Sequence, residues 1–258
     1  MPVVGIVAAL PAEAAAIAAA GTRQHIAGWP VRYRRLQHGT VMCLCSGPGV
    51  ERAAAAAEVL AGFNPDILVS TGVAGGLAPD LPSGALVIAD SVVELSGAPG
   101  KQSLRTAWNC GQNRHEAICR LLAREGFTVR SGQVLTSHEP VLGRDAKRAL
   151  HQQTASLAVD MECAAVAAVS AKAGLPFFAL RAVCDTFDQV VPHELYQCLQ
   201  DDGAINYSRI IKNILSRTLI LKELLALGLN HRRALASLKK AWGIIFQNDL
   251  FQMTMRRQ

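Results

Sequence analysis

Short apolar runs recur along the chain, each closed by a glycine, a proline or a charged residue. The run "VVGIVAA" (3–9) reads as a buried strand ending at Leu10-Pro11, and residues 12–20 read as a helix closed by Gly21. "VRYRRLQ" alternates as a more exposed strand does, and "VMCLCSG" is a buried strand running into the glycine loop "SGPGV" (46–50). "VERAAAAAEVLAGF" is a helix with Glu51 in its first turn, where a negative charge suits the helix dipole. "DILVSTGVAGG" (66–76) reads as a core strand breaking into a second glycine loop, and "GALVIADSVVE" as the next strand. Helices at 112–125 and 145–153 flank the strand "TVRSGQVLTS". A helix from Met161 to Ala173 then stops at Gly174 and Pro176, and the strand "FFALRAVCD" (177–185) follows. Strands alternate with helices and no long linker intervenes. The pattern predicts one doubly wound α/β domain over residues 1–206, with a mixed, largely parallel sheet. A C-terminal helical extension, residues 207–258, completes the chain.

Composition agrees with that class. Hydrophobic residues make up 50% of the 258 and aromatics only 5%, so the core mass is Ala, Val, Leu and Ile, which suits strands covered by small-residue helices. Charge is uneven. Residues 1–206 hold 16 Lys and Arg against 18 Asp and Glu, whereas residues 207–258 hold 10 against 2. The basicity therefore belongs to the tail. There Ile210, Ile211, Ile214, Leu215, Leu219 and Leu221 to Leu225 recur at near-helical spacing among Arg209, Lys212, Arg217, Lys222, Lys239 and Lys240. Two readings stand: a helix packed on the domain with a solvated basic face, or an amphipathic helix on an anionic membrane surface. Nucleic-acid binding is disfavoured, because the charge is local and has little aromatic interleaving. Seven cysteines at irregular spacing, without a CxxC, read as reduced thiols. The apolar start lacks a basic flank and is interrupted by Pro11 and Glu13, unlike a signal peptide, and no apolar run is long enough to span a bilayer. The expectation is a cytoplasmic protein, with the inner membrane face as the tail's alternative address. The histidines show no ligand spacing, so no metal is expected; His138, at a strand end, could line a pocket.

The segment 159–185, "VDMECAAVAAVSAKAGLPFFALRAVCD", is almost wholly small or apolar, yet carries Asp160, Glu162, Arg181 and Asp185. A buried charge is costly unless it is paired or hydrogen-bonded. Asp160 is explained as a helix N-cap, Glu162 less easily, and Arg181 requires a carboxylate, with Glu13 or Glu162 as candidates. Residues 181 and 185, four apart on a strand, share a face. Glu13, "SGPG", "GVAGG" and Asp185 all fall at strand ends, where open α/β sheets bind ligands. Each glycine loop alone is as readily a turn as a ligand loop. Neither matches GxGxxG or GxxxxGK[ST], so dinucleotide and triphosphate sites are unsupported.

Five motifs in order, "GIVAALPAE" (5–13), "SGPGVERAA" (46–54), "STGVAGGLAPDLPSGALVIAD" (70–90), "VDMECAAVA" (159–167) and "FFALRAVCD" (177–185), resemble the nucleoside phosphorylase/nucleosidase family that includes methylthioadenosine/S-adenosylhomocysteine nucleosidase. Within it, the stretch "CDTFDQVVPHEL" and the basic extension "RRALASLKKAWGIIF" are similar to the hopanoid-associated phosphorylases, which act on adenosylhopane. The resemblance implies an enzyme that cleaves the N-glycosidic bond of a 5′-substituted adenosine and releases adenine, with no cofactor and at least a dimeric assembly. It makes Asp185 the acid at the leaving base and Glu13 the residue that orients or deprotonates the attacking water. Glu162 accepts the ribose hydroxyls, Met161 packs on the sugar, Arg181 holds the carboxylates, and Val73, Ala74 and Gly75 line the ribosyl pocket. The family pattern is not met everywhere. "STGVAGG" stands where nucleosidases have "NTGSAGG", Pro140 falls near a base-stacking aromatic, and the phosphate-binding arginine and "GDP" loop of the phosphorylases are missing. Glu13 belongs with water as nucleophile, so hydrolysis is favoured, with phosphate as an alternative co-substrate. The remaining alternatives are a methylthioadenosine/S-adenosylhomocysteine nucleosidase, a nucleoside-binding protein without turnover, and a membrane-surface scaffold.

Overall fold

The computed structural model describes residues 1–18, 21–96, 103–110, 112–192 and 220–248. The strands are β1 (Val3–Ala8), β2 (Thr22–Ile26), β3 (Trp29–Leu36), β4 (Gly39–Cys45), β5 (Ile67–Gly76), β6 (Leu86–Ser96), β7 (Ser103–Asn109), β8 (Val129–Ser137), β9 (Ala158–Asp160) and β10 (Phe177–Asp185). The helices are α1 (Pro11–Ile17), α2 (Val50–Ala61), α3 (Gln112–Arg124), α4 (Arg144–Thr154), α5 (Cys163–Lys172) and a long C-terminal α6 (Ile220–Gln247).

The ten strands of the described residues join one mixed sheet. The parallel pairs β4–β1, β1–β5, β5–β10, β6–β8 and β8–β9 form its frame. Part of the sheet closes on itself: β5 pairs with β10, β10 with β6, β6 with β8, β8 with β9, and β9 again with β5. The apolar pattern did not reveal this ring, because β9 is only three residues long and merges with the helix that follows. The strands β2 and β7 were likewise not expected. Both carry mixed polar sequences, and β2 lies on the edge of the sheet against β3.

Alternation along the strands sorts the core into layers. In β1, Val4, Ile6 and Ala8 face one way, where Ala14 and Ile17 of α1, Ile118 and Leu122 of α3, and α6 pack. Val7 faces the other way, where Ala53, Ala56 and Ala57 of α2 meet Ala165 and Val166 of α5. The alanine runs in α2 and α5 let these helices lie close to one another and to the sheet.

The described part of the tail is core material. Ala234, Leu238, Ala241, Trp242, Ile245 and Phe246 of α6 are buried against the sheet and α1. Trp242 is fully buried, edge-on to Phe178 at 6.4 Å, and its Nε1 donates to Thr71 Oγ1 at 3.0 Å. Arg232, Arg233, Lys239 and Lys240 stay exposed. The apolar positions expected from Ile210 to Leu219 lie outside the described residues. No helix of the described residues is long and apolar enough to cross a membrane. Replacing Trp242 with alanine is expected to destabilise the fold by about 3–5 kcal/mol, through the lost ring packing and the lost hydrogen bond to Thr71, which keeps its own bond to the Leu180 carbonyl, measurable by urea unfolding.

Candidate active site

The two glycine-rich segments position the charges, by different means. The segment "GVAGG" is not a loop: β5 continues as strand through Gly76. Its glycines leave room for carboxylates. A Cβ at Gly72 would lie 2.7 Å from Glu13 Oε1, and one at Gly75 would lie 3.1 Å from Asp185 Oδ2. The segment "SGPG" is a true turn, with positive φ at Gly47 and Gly49 that an L side chain resists. It delivers the Gly49 N–H to Glu162 Oε1 at 3.1 Å.

Glu13 is placed by the way β5 shares its edge. Along that edge β1 pairs with Ile67–Ser70 and β9 only with Gly75 and Gly76. Between them the Val73 N–H donates to Glu13 Oε1 at 2.8 Å, and the Leu10 N–H donates to Oε2 at 2.8 Å. Glu13 is 2% exposed, and burial raises its carboxyl above the usual range against the pull of these N–H donors and Arg181.

Asp160, Glu162 and Arg181 form a buried network. Arg181 Nε and Nη2 both reach Asp160 Oδ2, at 2.7 and 2.6 Å, and Nη2 donates to Ser70 Oγ at 2.7 Å. Glu162 Oε2 is farther from Nη2, at 3.8 Å. The arginine's close partner is therefore Asp160 rather than Glu13 or Glu162, the two candidates weighed from sequence. Asp160 also accepts from Thr136 Oγ1 and from the Cys163 N–H at the start of α5, so its expected capping role coexists with the ion pair. Glu162 stands at the N-cap position with no cap of its own, and it lines the cleft. Burial, and then the charge of Asp160, push its pKa up to about 7, with Arg181 opposing.

Asp185 closes the arrangement. A register shift between Val183 and Asp185 interrupts the alternation of β10, so its orientation does not follow from counting along the strand. Its Oδ1 accepts from Cys184 Sγ at 2.9 Å, and its Oδ2 accepts from Lys147 Nζ at 2.6 Å.

These groups line one cleft with about 210 Å³ of free volume. Glu13, Val73, Ala74, Gly75, Met161, Glu162 and Asp185 all contribute to its wall, and Arg181 lies behind it. Pro140, Val141, Leu142 and Val191 supply an apolar side. The charged groups on the wall are Glu13, Glu139, Asp160, Glu162 and Asp185, and no basic side chain of the described residues lines it. His138 is not part of the wall; it pairs with Glu94 at 2.7 Å on the exposed side. Lys147 was not expected here. A lysine on a helix with a polar face reads as solvated, and only the stripe Lys147, Leu150 and Thr154 reveals its buried side.

A cleft of this kind suits cleavage at a sugar carbon. Carboxylates stabilise a cationic, oxocarbenium-like sugar, and one must supply a proton to the leaving group. The match to known proteins agrees. The sequence profile of the phosphorylase superfamily matches residues 3–216. The chain belongs to the phosphorylase superfamily. A superfamily relative, the 5′-methylthioadenosine/S-adenosylhomocysteine nucleosidase of Actinobacillus succinogenes, is 31% identical over 198 residues, covering 72% of this chain and 86% of that one. The futalosine hydrolase of Streptomyces coelicolor is 35% identical over 153 residues, 54% of this chain and 65% of its own length. Among solved structures, the Helicobacter pylori nucleosidase with 5′-methylthioadenosine in its active site aligns over 98% of this chain and 99% of its own, with a TM-score of 0.72 at 16% identity. That likeness establishes the superfamily's mixed α/β fold for this chain.

Glu162 also predicts a conflict between function and stability. Its carboxyl pKa lies at about 7 in the folded protein against 4.5 for the ordinary value, so between those values the folded state binds the proton more tightly. Stability therefore falls as pH rises through that window. Glu162→Gln is expected to raise stability at pH 8 by about 1–2 kcal/mol while lowering activity. Urea unfolding at pH 5 and pH 8 checks it: a gain at pH 8 that shrinks at pH 5 is the expected outcome.

Proposed function

We propose that the chain is an N-ribosyl hydrolase that releases adenine from a 5′-substituted adenosine. The observation that carries this reading is a cleft wall that includes Glu13, Glu162 and Asp185 and, among the described residues, no basic side chain. Such a wall favours a cationic sugar and neutral water, and among the described residues it offers phosphate no cation on its surface. The N-terminus of α2, the kind of place where an anion could bind, already has its Gly49 N–H committed to Glu162. Asp185 gives its proton to the leaving nitrogen as the C–N bond breaks and its electron pair departs with the base. Water adds to the sugar carbon and its proton passes to Glu13. Glu162 accepts hydrogen bonds from the ribose hydroxyls, Met161 packs on the sugar, and Arg181 acts from behind through Asp160 and Glu162.

For the 5′ group, the reading is a large apolar substituent, most specifically that of adenosylhopane. The apolar side of the cleft supports it, as does the sequence resemblance to hopanoid-associated enzymes. The exposed Arg232, Arg233, Lys239 and Lys240 of α6 would draw the protein to the anionic surface where such a substrate resides. A second reading, a methylthioadenosine/S-adenosylhomocysteine nucleosidase, is favoured by the 31% identity to the Actinobacillus enzyme. Adenine release from adenosylhopane and from methylthioadenosine separates them. Preference for the hopanoid supports the first reading; turnover of methylthioadenosine alone removes it.

A further inference from the structure

Lys147 is wholly buried in a helix stripe otherwise made of Leu150 and Thr154. A buried ammonium persists only where its donors are used. All three are: Nζ donates to Asp185 Oδ2 at 2.6 Å, to the Thr186 carbonyl at 2.8 Å and to the Gln189 carbonyl at 2.9 Å. The two carbonyls fix the ammonium where it meets the carboxylate, so the pair has little freedom to separate. Arg181 is already bound to Asp160 and Ser70 and serves the other side of the cleft. Lys147 is thus the cation that touches Asp185, in a wall where Glu13 and Glu162 are also acidic.

The demand on such a cation follows from the reaction. The proton that Asp185 gives must sit on Oδ1, because Lys147 holds Oδ2; once it passes to the leaving base, a new carboxylate appears in a buried, acidic cleft. Without a neighbouring positive charge that product is unfavourable, and the proton transfer is uphill. We propose that Lys147 is the positioning residue of the leaving-group acid: it fixes Asp185 Oδ2 and stabilises the carboxylate left when the proton moves to the base. The proposal rests on the hydrolase reading, with Asp185 as its acid. A purely structural tie between α4 and the Thr186–Gln189 segment would instead affect every substrate alike.

The leaving group distinguishes the two. Adenine needs a proton to depart, whereas 4-nitrophenol leaves as its anion and needs none. Lys147→Met is therefore measured on the best adenosine substrate and on 4-nitrophenyl β-ribofuranoside, with kcat and KM resolved for each. The expected result is a loss in kcat of about tenfold to a hundredfold on the adenosine, at least ten times the loss on the nitrophenyl riboside, with KM little changed. Parallel losses on both substrates would overturn the proposal alone. Failure of the wild type to release adenine from any adenosine would overturn the hydrolase reading and this proposal with it. Should the single variant not fold, Lys147→Met is placed in Asp185→Asn, which removes both charges. Activity on adenosine within about threefold of Asp185→Asn supports action through the acid, and a further loss beyond about tenfold contradicts it.

Discussion

Asp185→Asn is expected to lower adenine release about a thousandfold, within the span that general-acid groups usually contribute. The amide cannot pass a carboxyl proton to the leaving nitrogen, and its single acceptor oxygen can keep the Lys147 hydrogen bond only by turning its NH2 toward Cys184. A second effect accompanies the first. Lys147 is wholly buried, and the substitution leaves its ammonium opposite a neutral group. Breaking a buried pair from one side costs about 3–5 kcal/mol, so the variant should also unfold at lower urea concentration. Adenosine binding, measured by calorimetry, should survive where the protein is folded. A variant that keeps full activity would remove Asp185 from the chemistry. A wild type that binds adenosine but releases no adenine would instead support a nucleoside-binding protein.

Glu13→Gln carries the other large effect. The wild-type carboxylate accepts the Leu10 and Val73 N–H groups with separate oxygens, both at 2.8 Å. A glutamine has a single acceptor oxygen, so its amide nitrogen must face one of those N–H donors. The side chain shifts or loses a bond, and it can no longer take a proton from water. A fall in kcat of about a hundredfold to ten-thousandfold is expected. Unlike the Lys147 substitution, this loss should extend to the nitrophenyl riboside, because the water step is common to both substrates. Retention of nitrophenyl activity in Glu13→Gln would place the base elsewhere.

Much of this site was legible because strand ends concentrate chemistry in an α/β sheet. Glu13, Val73 to Gly75, Glu162 and Asp185 were each singled out, by their place at strand ends and by the resemblance, and they share one cleft wall. Arg181 stood out because a charge inside "FFALRAVCD" needs a partner, but the partner could not be chosen. Asp160 and Glu162 are two residues apart, and only the geometry of the β9–α5 junction brings Asp160 closer. Lys147 left almost no trace, since one lysine among Arg144, Asp145 and Arg148 looks like any solvated helix face. The glycines of "GVAGG" were recognised as special for an incomplete reason: their task is to admit the Glu13 and Asp185 carboxylates, not to turn the chain. The closed ring of β5, β10, β6, β8 and β9 depends on pairings between distant segments, and local apolar patterns carry no record of them.

The most direct test of the central claim is the fate of the sugar. The reaction is run in oxygen-18-labelled water, with and without phosphate, and the sugar product is weighed by mass spectrometry. A hydrolase with a wall of carboxylates should yield free sugar carrying the heavy oxygen, at a rate that phosphate does not raise. A sugar 1-phosphate, formed only when phosphate is present, would contradict the account.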